Sequence, residues 1–581
     1  WVKDNYDLYK TYNISDKTLC TYIDDLPVNS SFPNINISTT VLAEAVKKLS
    51  NATRSERLYA LLSFRANSID GEGFYSIKED AGSGFDEVFD ISSNFYFIPK
   101  TFTLKGVEKL FSNITAYIED LDKIDRWALN IQNDENLEQD NTALSVGIIN
   151  LYLQEYQQKW QSVLENLKPK RFNGNDSGLS ILAVLSKPSN PVRGVIEVVS
   201  TNTDLINSSL LKHASNLGLP TSKIRSNFSI LSDAFILYHN IAKQDSFFNQ
   251  GLDSVSSKTG IQTEEKQVKI MDKMSEDTQN IYKKIVDYVS GNAPSKDKIT
   301  YALKPVEIAD DPFFIINKDA KELPAEIGNY YKMIASDAWS LIEYHAGIEL
   351  NKAWQTEMYA QFMNQVSSYY PINTNGREPL KFDAFRSFFG KQGVWNKFFT
   401  QYLDLILVKR WDVYDINPTY SSKINFSNDF LSTVYKLATI SNGVLDANDN
   451  LDVDFTVTTV ALSGDYGSVE LSYDNNIMVY DQTFPSSLKI VGGNFKENTK
   501  LKLVIKDYNG AVKEIREYSG EWAWLQFIQS GRNIGNGVYR LTFNGNDKLY
   551  FDWKVDGGNA SLDRVLKSLP NLTIPQNILK R

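Results

Sequence analysis

One cysteine, Cys20, stands in 581 residues. That scarcity excludes an intramolecular disulfide and any metal cluster held by several thiolates. Histidine is almost as rare. His213, His239 and His345 are the whole complement, no two within five residues. No helix can therefore present a two-histidine metal pair, and no HExxH occurs. Each histidine reads as a hydrogen-bonded structural residue. No run of about 18 apolar residues occurs, which excludes a helical membrane span within the sequence. The strongest short apolar run, residues 405–408, lies between Asp404 and Lys409 and is expected to be a core helix.

Clustered positive charge is also missing. The formal charge is −10 and the pI about 5.2, whereas phosphate backbones are held by a basic face. No nucleic-acid partner and no basic membrane-surface helix is expected. The short group Lys168, Lys170 and Arg171 is read as cations at a helix C-terminus, where they complement the helix dipole. The chain starts at Trp1 with no basic n-region or cleavage site, and reads as a fragment or processed product.

What is present is ordinary globular composition, 42% hydrophobic and 23% charged, in a length that suggests about four domains. From about residue 40 the apolar spacing is helical, as in Leu58, Leu61 and Leu62. Residues 70–94 are rich in Gly and Asp and are expected to be loop with at most short strands. Pro99 precedes a helix opened by Thr103. The strongest helix is expected over 141–166, where Leu144, Ile148, Tyr152, Tyr156, Trp160 and Leu164 recur every fourth residue. Further helices are expected over 178–185, from near Arg193, over 267–289 and over 327–368. An exposed linker is expected at 291–298, and hinges at 291–298 and 441–450.

After about residue 450 the period changes to two. Leu451, Val453, Phe455 and Val457 alternate with polar residues, as do Val469, Leu471 and Tyr473. So do Leu501, Leu503 and Ile505; Tyr539, Leu541 and Phe543; and Leu549, Phe551, Trp553 and Val555. With turn signals at Asn509-Gly510 and Asn544-Gly545, this describes an antiparallel sandwich. An amphipathic insert, 522–528, interrupts it. The fold class is α+β multidomain, a mainly helical body followed by a C-terminal antiparallel β-sandwich. The expected domains are 1–130, mixed and mainly helical; 131–325, helical; 326–445, helical; 446–565, β-sandwich; and a tail, 566–581.

Chemistry is sparse. Asp70-Gly71-Glu72-Gly73 and Gly82-Ser83-Gly84 lack the Lys-Ser/Thr of a P-loop. The stretch 446–452 resembles part of an EF-hand loop but lacks its sixth-position glycine and terminal glutamate; it, Asp24-Asp25 and Asp310-Asp311 read as solvated turns. The sequons at Asn36, Asn51, Asn113, Asn207 and Asn227 are expected by chance in a chain so rich in Asn, Ser and Thr. No catalytic, cofactor-binding or metal residue can be nominated, and no cofactor or enzymatic activity is expected.

Four segments carry a resemblance. The first joins 54–59 (Arg54-Ser55-Glu56-Arg57-Leu58-Tyr59), Ile98-Pro99-Lys100-Thr101-Phe102-Thr103 and Asp125-Arg126-Trp127. The second joins Tyr152, Glu155, Tyr156 and Trp160 with 182–186 and Pro191. The third is Tyr370-Pro371-Ile372 with 385–393 and Phe398-Phe399; the fourth is Gly520-Glu521-Trp522-Ala523-Trp524 with Leu525 to Ile528. In this order they resemble the periplasmic region of the IcmF/TssM family of type VI secretion inner-membrane proteins, as a divergent member of the PdpB type. Ile372 stands where the family has Phe, Phe484-Pro485 where Trp-Pro is typical, and Gln526 where Arg is.

The resemblance implies a structural scaffold of a secretion membrane complex. Its C2-like C-terminal domain would dock an outer-membrane lipoprotein (TssJ-like). It would have an inner-membrane partner (TssL-like) and associate with itself in a ring-like complex. The implied location is the periplasmic part of a bacterial inner-membrane protein. No contact residue carries over; Trp522 and Trp524 match a motif but are expected in the core. The alternative reading is a secreted carbohydrate-binding or carbohydrate-active protein, which would need paired carboxylates of raised pKa in a cleft within 130–445. A third is an adhesin with exposed aromatics on the β domain.

Overall fold

A computed structural model describes residues 39–580, apart from 70–72, 92–95, 130–140, 207, 209, 217–219, 252–268, 291–294, 304–308, 412, 418–423 and 557–560. Cys20, Asp24-Asp25, Asn36, Asp70-Gly71-Glu72 and Asn207 lie outside the described residues. The chain divides into two compact units. The first comprises residues 1–289 and 306–341, the second 290–305 and 342–581.

The first unit is built around the helix Asn141–Asn166. All six residues of its predicted stripe are buried, Tyr156 and Trp160 completely. Buried rings with polar tips need partners, and these find carbonyls. Tyr156 Oη donates to Asn202 O (2.6 Å), Trp160 Nε1 to Phe102 O (2.9 Å), and Tyr330 Oη to Leu164 O (2.6 Å). The helices Arg54–Ile69 and Thr221–Ala234 pack against it, and Ile270–Val289 packs between Gly174–Leu185 and Pro312–Asp319. Asn190 opens the helix Pro191–Thr203, accepting from Val192 N and Arg193 N with Pro191 in the first turn, a strong start signal.

Residues 73–91 hold more than the expected loop. Strand β1 (Phe74–Ser76) pairs with β2 (Phe97–Pro99), and two short helices, Ile77–Asp80 and Phe85–Val88, follow β1. Ile77, Phe85, Val88 and Phe89 are buried. Their apolar surface fixes a segment whose glycines signal turns, and Gly82 and Gly84 supply the positive φ of those turns.

In the second unit the helix from Ala325 runs on through a wide π-type turn, Trp354–Tyr359, to Ala360–Gln365. Of the predicted stripe within this unit, Ile342, Trp354, Met358 and Phe362 are buried, while Ile348 is exposed. Two expectations fail here. Residues 405–408 do not form a core helix: Leu405 is exposed and Leu407 begins strand β3 (Leu407–Arg410), paired with β4 (Val413–Ile416). The expected linker 291–298 is helical from Ser295 to Ala302, with Lys298 buried; residues 291–294 lie outside the described residues. At 441–450 the helix Asn428–Val444 ends and a bridge between Leu445 and Leu451 closes the turn.

The sandwich follows, antiparallel throughout. One sheet has the order β10-β9-β6-β7 and the other β11-β12-β13-β5-β8. The strands are β5 (Asp454–Leu462), β6 (Ser468–Tyr473), β7 (Asn476–Tyr480), β8 (Ser487–Val491), β9 (Lys500–Lys506), β10 (Val512–Ser519), β11 (Arg532–Gly535), β12 (Val538–Phe543) and β13 (Asn546–Asp556). Asn544 and Gly545, at φ 54° and 63°, make the tight hairpin between β12 and β13, the positive-φ pair that suits the strand twist. The insert is a helix, Ala523–Ser530, with Trp522 and Trp524 both in the core.

The segments bearing the third and fourth parts of the resemblance meet. Trp522 Nε1 donates to Leu380 O (2.6 Å), Phe382 N donates to the Glu521 carboxylate (2.8 Å), and the Phe385 and Trp522 rings lie 5.1 Å apart. After the helix Ser561–Ser568 the tail crosses back to the helical part of this unit. Ser427 N donates to Ile578 O (2.8 Å), Lys580 N to Asn425 O (2.7 Å), and Trp354 Nε1 to Pro575 O (2.8 Å). Leu572, Ile574 and Ile578 are buried. Among the described residues no helix is long and apolar enough to cross a membrane.

Candidate functional site

The residues the sequence singled out are used in packing and turns. His239 is buried, its Nε2 lies 2.8 Å from Thr203 Oγ1, and burial holds its imidazole below the ordinary pKa. His345 lies edge-on to the Tyr344 ring, 5.5 Å away, and burial holds it low as well. The side chain of His213 lies outside the described residues. Asp446 Oδ1 accepts from Asn448 N (2.7 Å) and Asn450 N (2.8 Å), and Asp449 accepts from Lys391 N (2.9 Å). These carboxylates close a turn, and the backbone N–H of Asn450 leads in holding Asp446 below the usual carboxylate range. Asp311 caps the helix Pro312–Asp319 by accepting from Phe313 N (2.9 Å).

The basic group splits three ways. Lys168 bonds the Glu165 carbonyl in the last turn of its helix, Lys170 reaches Asp86 O, and Arg171 pairs with Asp337 (2.8 Å). Among the described residues no group of three or more His, Cys, Asp and Glu side chains could hold a metal ion.

A cleft of about 820 Å³ opens in the first unit, between β1, the turn before the helix Leu104–Ala128, and the helices carrying Tyr59 and Glu155. Two of its acids, Glu155 and Asp80, are already engaged as acceptors. Tyr59 Oη donates to Glu155, and Tyr75 Oη donates to Asp80 Oδ2 (2.7 Å). Burial first, then the neighbouring carboxylate, pushes both phenols well above their ordinary pKa. A carboxyl pushed up to about 7 does occur in this unit, at Asp277, chiefly by burial and then by Asp319. Neither residue lines the cleft.

The sandwich offers a different kind of surface. Strand pairing aligns Ile515, Val504, Glu470 and Val479 in one row across the outer face of the four-stranded sheet. Ile477 stands in the next row, opposite Ser472. The outer face of a sandwich is ordinarily polar, yet Ile477 is 62% exposed, Val479 54% and Ile515 49%. Charged pairs lie between and beside these residues: Lys506 with Glu470 (3.0 Å) and Lys502 with Glu517 (3.4 Å). Exposed apolar side chains set among paired charges can bury area against a partner while the charges fix register. Elsewhere in this unit the β3–β4 hairpin holds Trp411 95% exposed with φ at 55°.

Comparison with known proteins follows the same order along the chain. Residues 3–204 match the family model described as IcmF-related, intracellular multiplication and human macrophage-killing. Residues 345–450 match the type VI secretion protein IcmF helical domain, and residues 455–564 the IcmF C2-like domain. A curated relative, the type VI secretion system component TssM1 of Pseudomonas aeruginosa, is 22% identical over 462 residues, covering 76% of this chain. The chain spans 40% of that relative's length. Two solved structures share the fold. A chain of a type VI secretion system membrane core complex superposes with a TM-score of 0.64 at 13% identity, covering 91% of this chain and 100% of that one. A chain of a type VI membrane complex gives 0.58 at 13% identity, covering 93% of each.

Proposed function

The chain belongs to the IcmF/TssM family of type VI secretion proteins, and on that premise we propose that it is a structural, non-enzymatic scaffold of a type VI secretion membrane complex. In this reading it is the periplasmic part of an inner-membrane protein. It docks an outer-membrane lipoprotein of the TssJ kind through its C-terminal sandwich, meets an inner-membrane partner of the TssL kind, and associates with copies of itself. The observation that carries the reading is the succession of three IcmF models along one chain, ending on the C2-like domain.

The outer face of the β10-β9-β6-β7 sheet supports the docking step. Interfaces draw energy from apolar side chains that lose water on binding and specificity from the charges set among them. Ile477, Val479 and Ile515 supply the first; the Lys506–Glu470 and Lys502–Glu517 pairs supply the second. The carbohydrate-active alternative is less well supported, since Asp277 is buried among helices and does not line the cleft.

Titration of the chain with the lipoprotein from its own secretion gene cluster tests this. Val479→Glu and Ile515→Glu each place a charge at an exposed apolar position of this face and are expected to weaken binding at least tenfold (about 1.4 kcal/mol), with melting temperature unchanged. Wild-type affinity in both variants would remove this face from the proposal, and a wild-type chain that binds no such lipoprotein would remove the docking role.

A further inference from the structure

The first unit contains a polar cluster that the scaffold reading does not use. Asp277, on the helix Ile270–Val289, is 6% exposed, and Asp319, at the end of Pro312–Asp319, is 1% exposed. Asp277 lies one turn along its helix from Lys273, which reaches Asp319 across the packed pair of helices, and the Asp319 carboxyl opposes the ionisation of Asp277. No donor reaches Asp277 Oδ2 or Asp319 Oδ1. Lys273 Nζ, 2.8 Å from Asp319 Oδ2, balances one negative charge and leaves the other uncompensated. Two neighbouring carboxylates in a buried site cannot both ionise cheaply. A single proton between them supplies the missing donor and brings the trio with Lys273 to neutrality.

We propose that Asp277 and Asp319 form a carboxyl–carboxylate pair sharing one proton, and that this proton clamps residues 312–322 to the helix Ile270–Val289, so that the clamp weakens as pH rises. The inference stands independently of the secretion role.

Lys273 favours ionisation of Asp277 and Glu276, on the same helix, opposes it. From the segment 312–322 come Asp319 itself and Glu322, which acts on Lys273. Arg193, on the helix Pro191–Thr203, is tied to Asp272, and Asp277 and Arg193 act in opposite senses on the Tyr331 phenol. That phenol is buried without a hydrogen-bond partner. The helix Gly174–Leu185, packed on the other side, has one charged residue, Asp176, and it is exposed.

The sign follows from the proton count. The folded carboxyl at Asp277 is pushed up to about 7 from the usual 3.8. Between those values the folded form holds a proton that the open form has lost. The clamp's stability is therefore full below the lower value and is lost as pH rises through the upper one.

Amide exchange of the full chain, corrected for intrinsic rates, tests the clamp. Opening of 270–289 and 312–322 is expected to rise about tenfold between pH 6 and pH 8, and Asp277→Asn, which supplies a permanent donor, is expected to level the two. Equal wild-type opening at both pH values overturns the proposal. So does a pH response that survives in both Asp277→Asn and Asp319→Asn. A second reading needs no variant: the wild-type infrared spectrum at pH 6 should carry a protonated-carboxyl band that disappears by pH 8. Its absence at pH 6 overturns the proposal equally.

Discussion

Arg57 and Asp125 stand 68 residues apart, in two of the short segments that carry the family resemblance, and their side chains meet in a two-pronged ion pair at 2.8 and 2.9 Å. Both are largely buried, and a third arm of the guanidinium donates to Ala52 O (2.6 Å). Beside them Arg54 and Arg126 share the Asp122 carboxylate, whose pKa they hold down against the effect of burial. The motif is thus a tie between the helices Arg54–Ile69 and Leu104–Ala128. Arg57→Met leaves Asp125 buried without its cation, and should cost about 3–5 kcal/mol in chemical denaturation. The double replacement Arg57→Met with Asp125→Leu should recover most of that loss. A double variant no more stable than the single one would show the pair to be worth more than its own burial.

At the scale of elements, legibility followed how much each residue's neighbours in sequence said about its neighbours in space. The helix Asn141–Asn166 has a fourfold repeat of large apolar residues and a polar opposite face, so one face had to be buried. The short run at 405–408 carries no period, and a run of four cannot separate strand from helix; the hairpin with β4 settled it. Strands β7 and β10 escaped for opposite reasons. Asn476–Tyr480 is a nearly continuous apolar run, and half of Val512–Ser519 is charged, as suits an edge strand. Without those two strands the outer face of their sheet could not be drawn. Ile477, Val479 and Ile515 share one surface only because β6 and β9, lying between β7 and β10, place them on the same sheet face.

The tail was legible as apolar but not as to where it packs, because its partners lie more than 140 residues away. Removing residues 570–581 exposes the pockets of Leu572, Ile574 and Ile578 and frees the carbonyl of Asn425. A loss of roughly 5 kcal/mol is expected from burying three fewer aliphatic side chains. Urea unfolding with a probe at Trp354, which loses its bond to Pro575 O, would measure it.

At the scale of the molecule, the chain holds two compact units with separate cores, and the second combines its helices, its sandwich and its tail in one buried cluster. Two cores of this size are not expected to melt as one. Scanning calorimetry should give a van 't Hoff enthalpy well below the calorimetric one. Asp277→Asn should move the transition of the first unit alone. A single transition with equal enthalpies would count against independent cores.

The thread of the chain through those units also sets an order of assembly. It leaves the first unit at residue 290, gives Ile299 and Leu303 to the core of the second, and returns at 306 to finish the first. Ribosomal synthesis proceeds from the N-terminus, so these two apolar side chains emerge before any residue from 342 onward exists to receive them. The first unit can close around them while they wait, uncovered, for their own core. A newly made chain therefore carries a temporary greasy bow at 295–303, the kind of stretch that holdase chaperones grip.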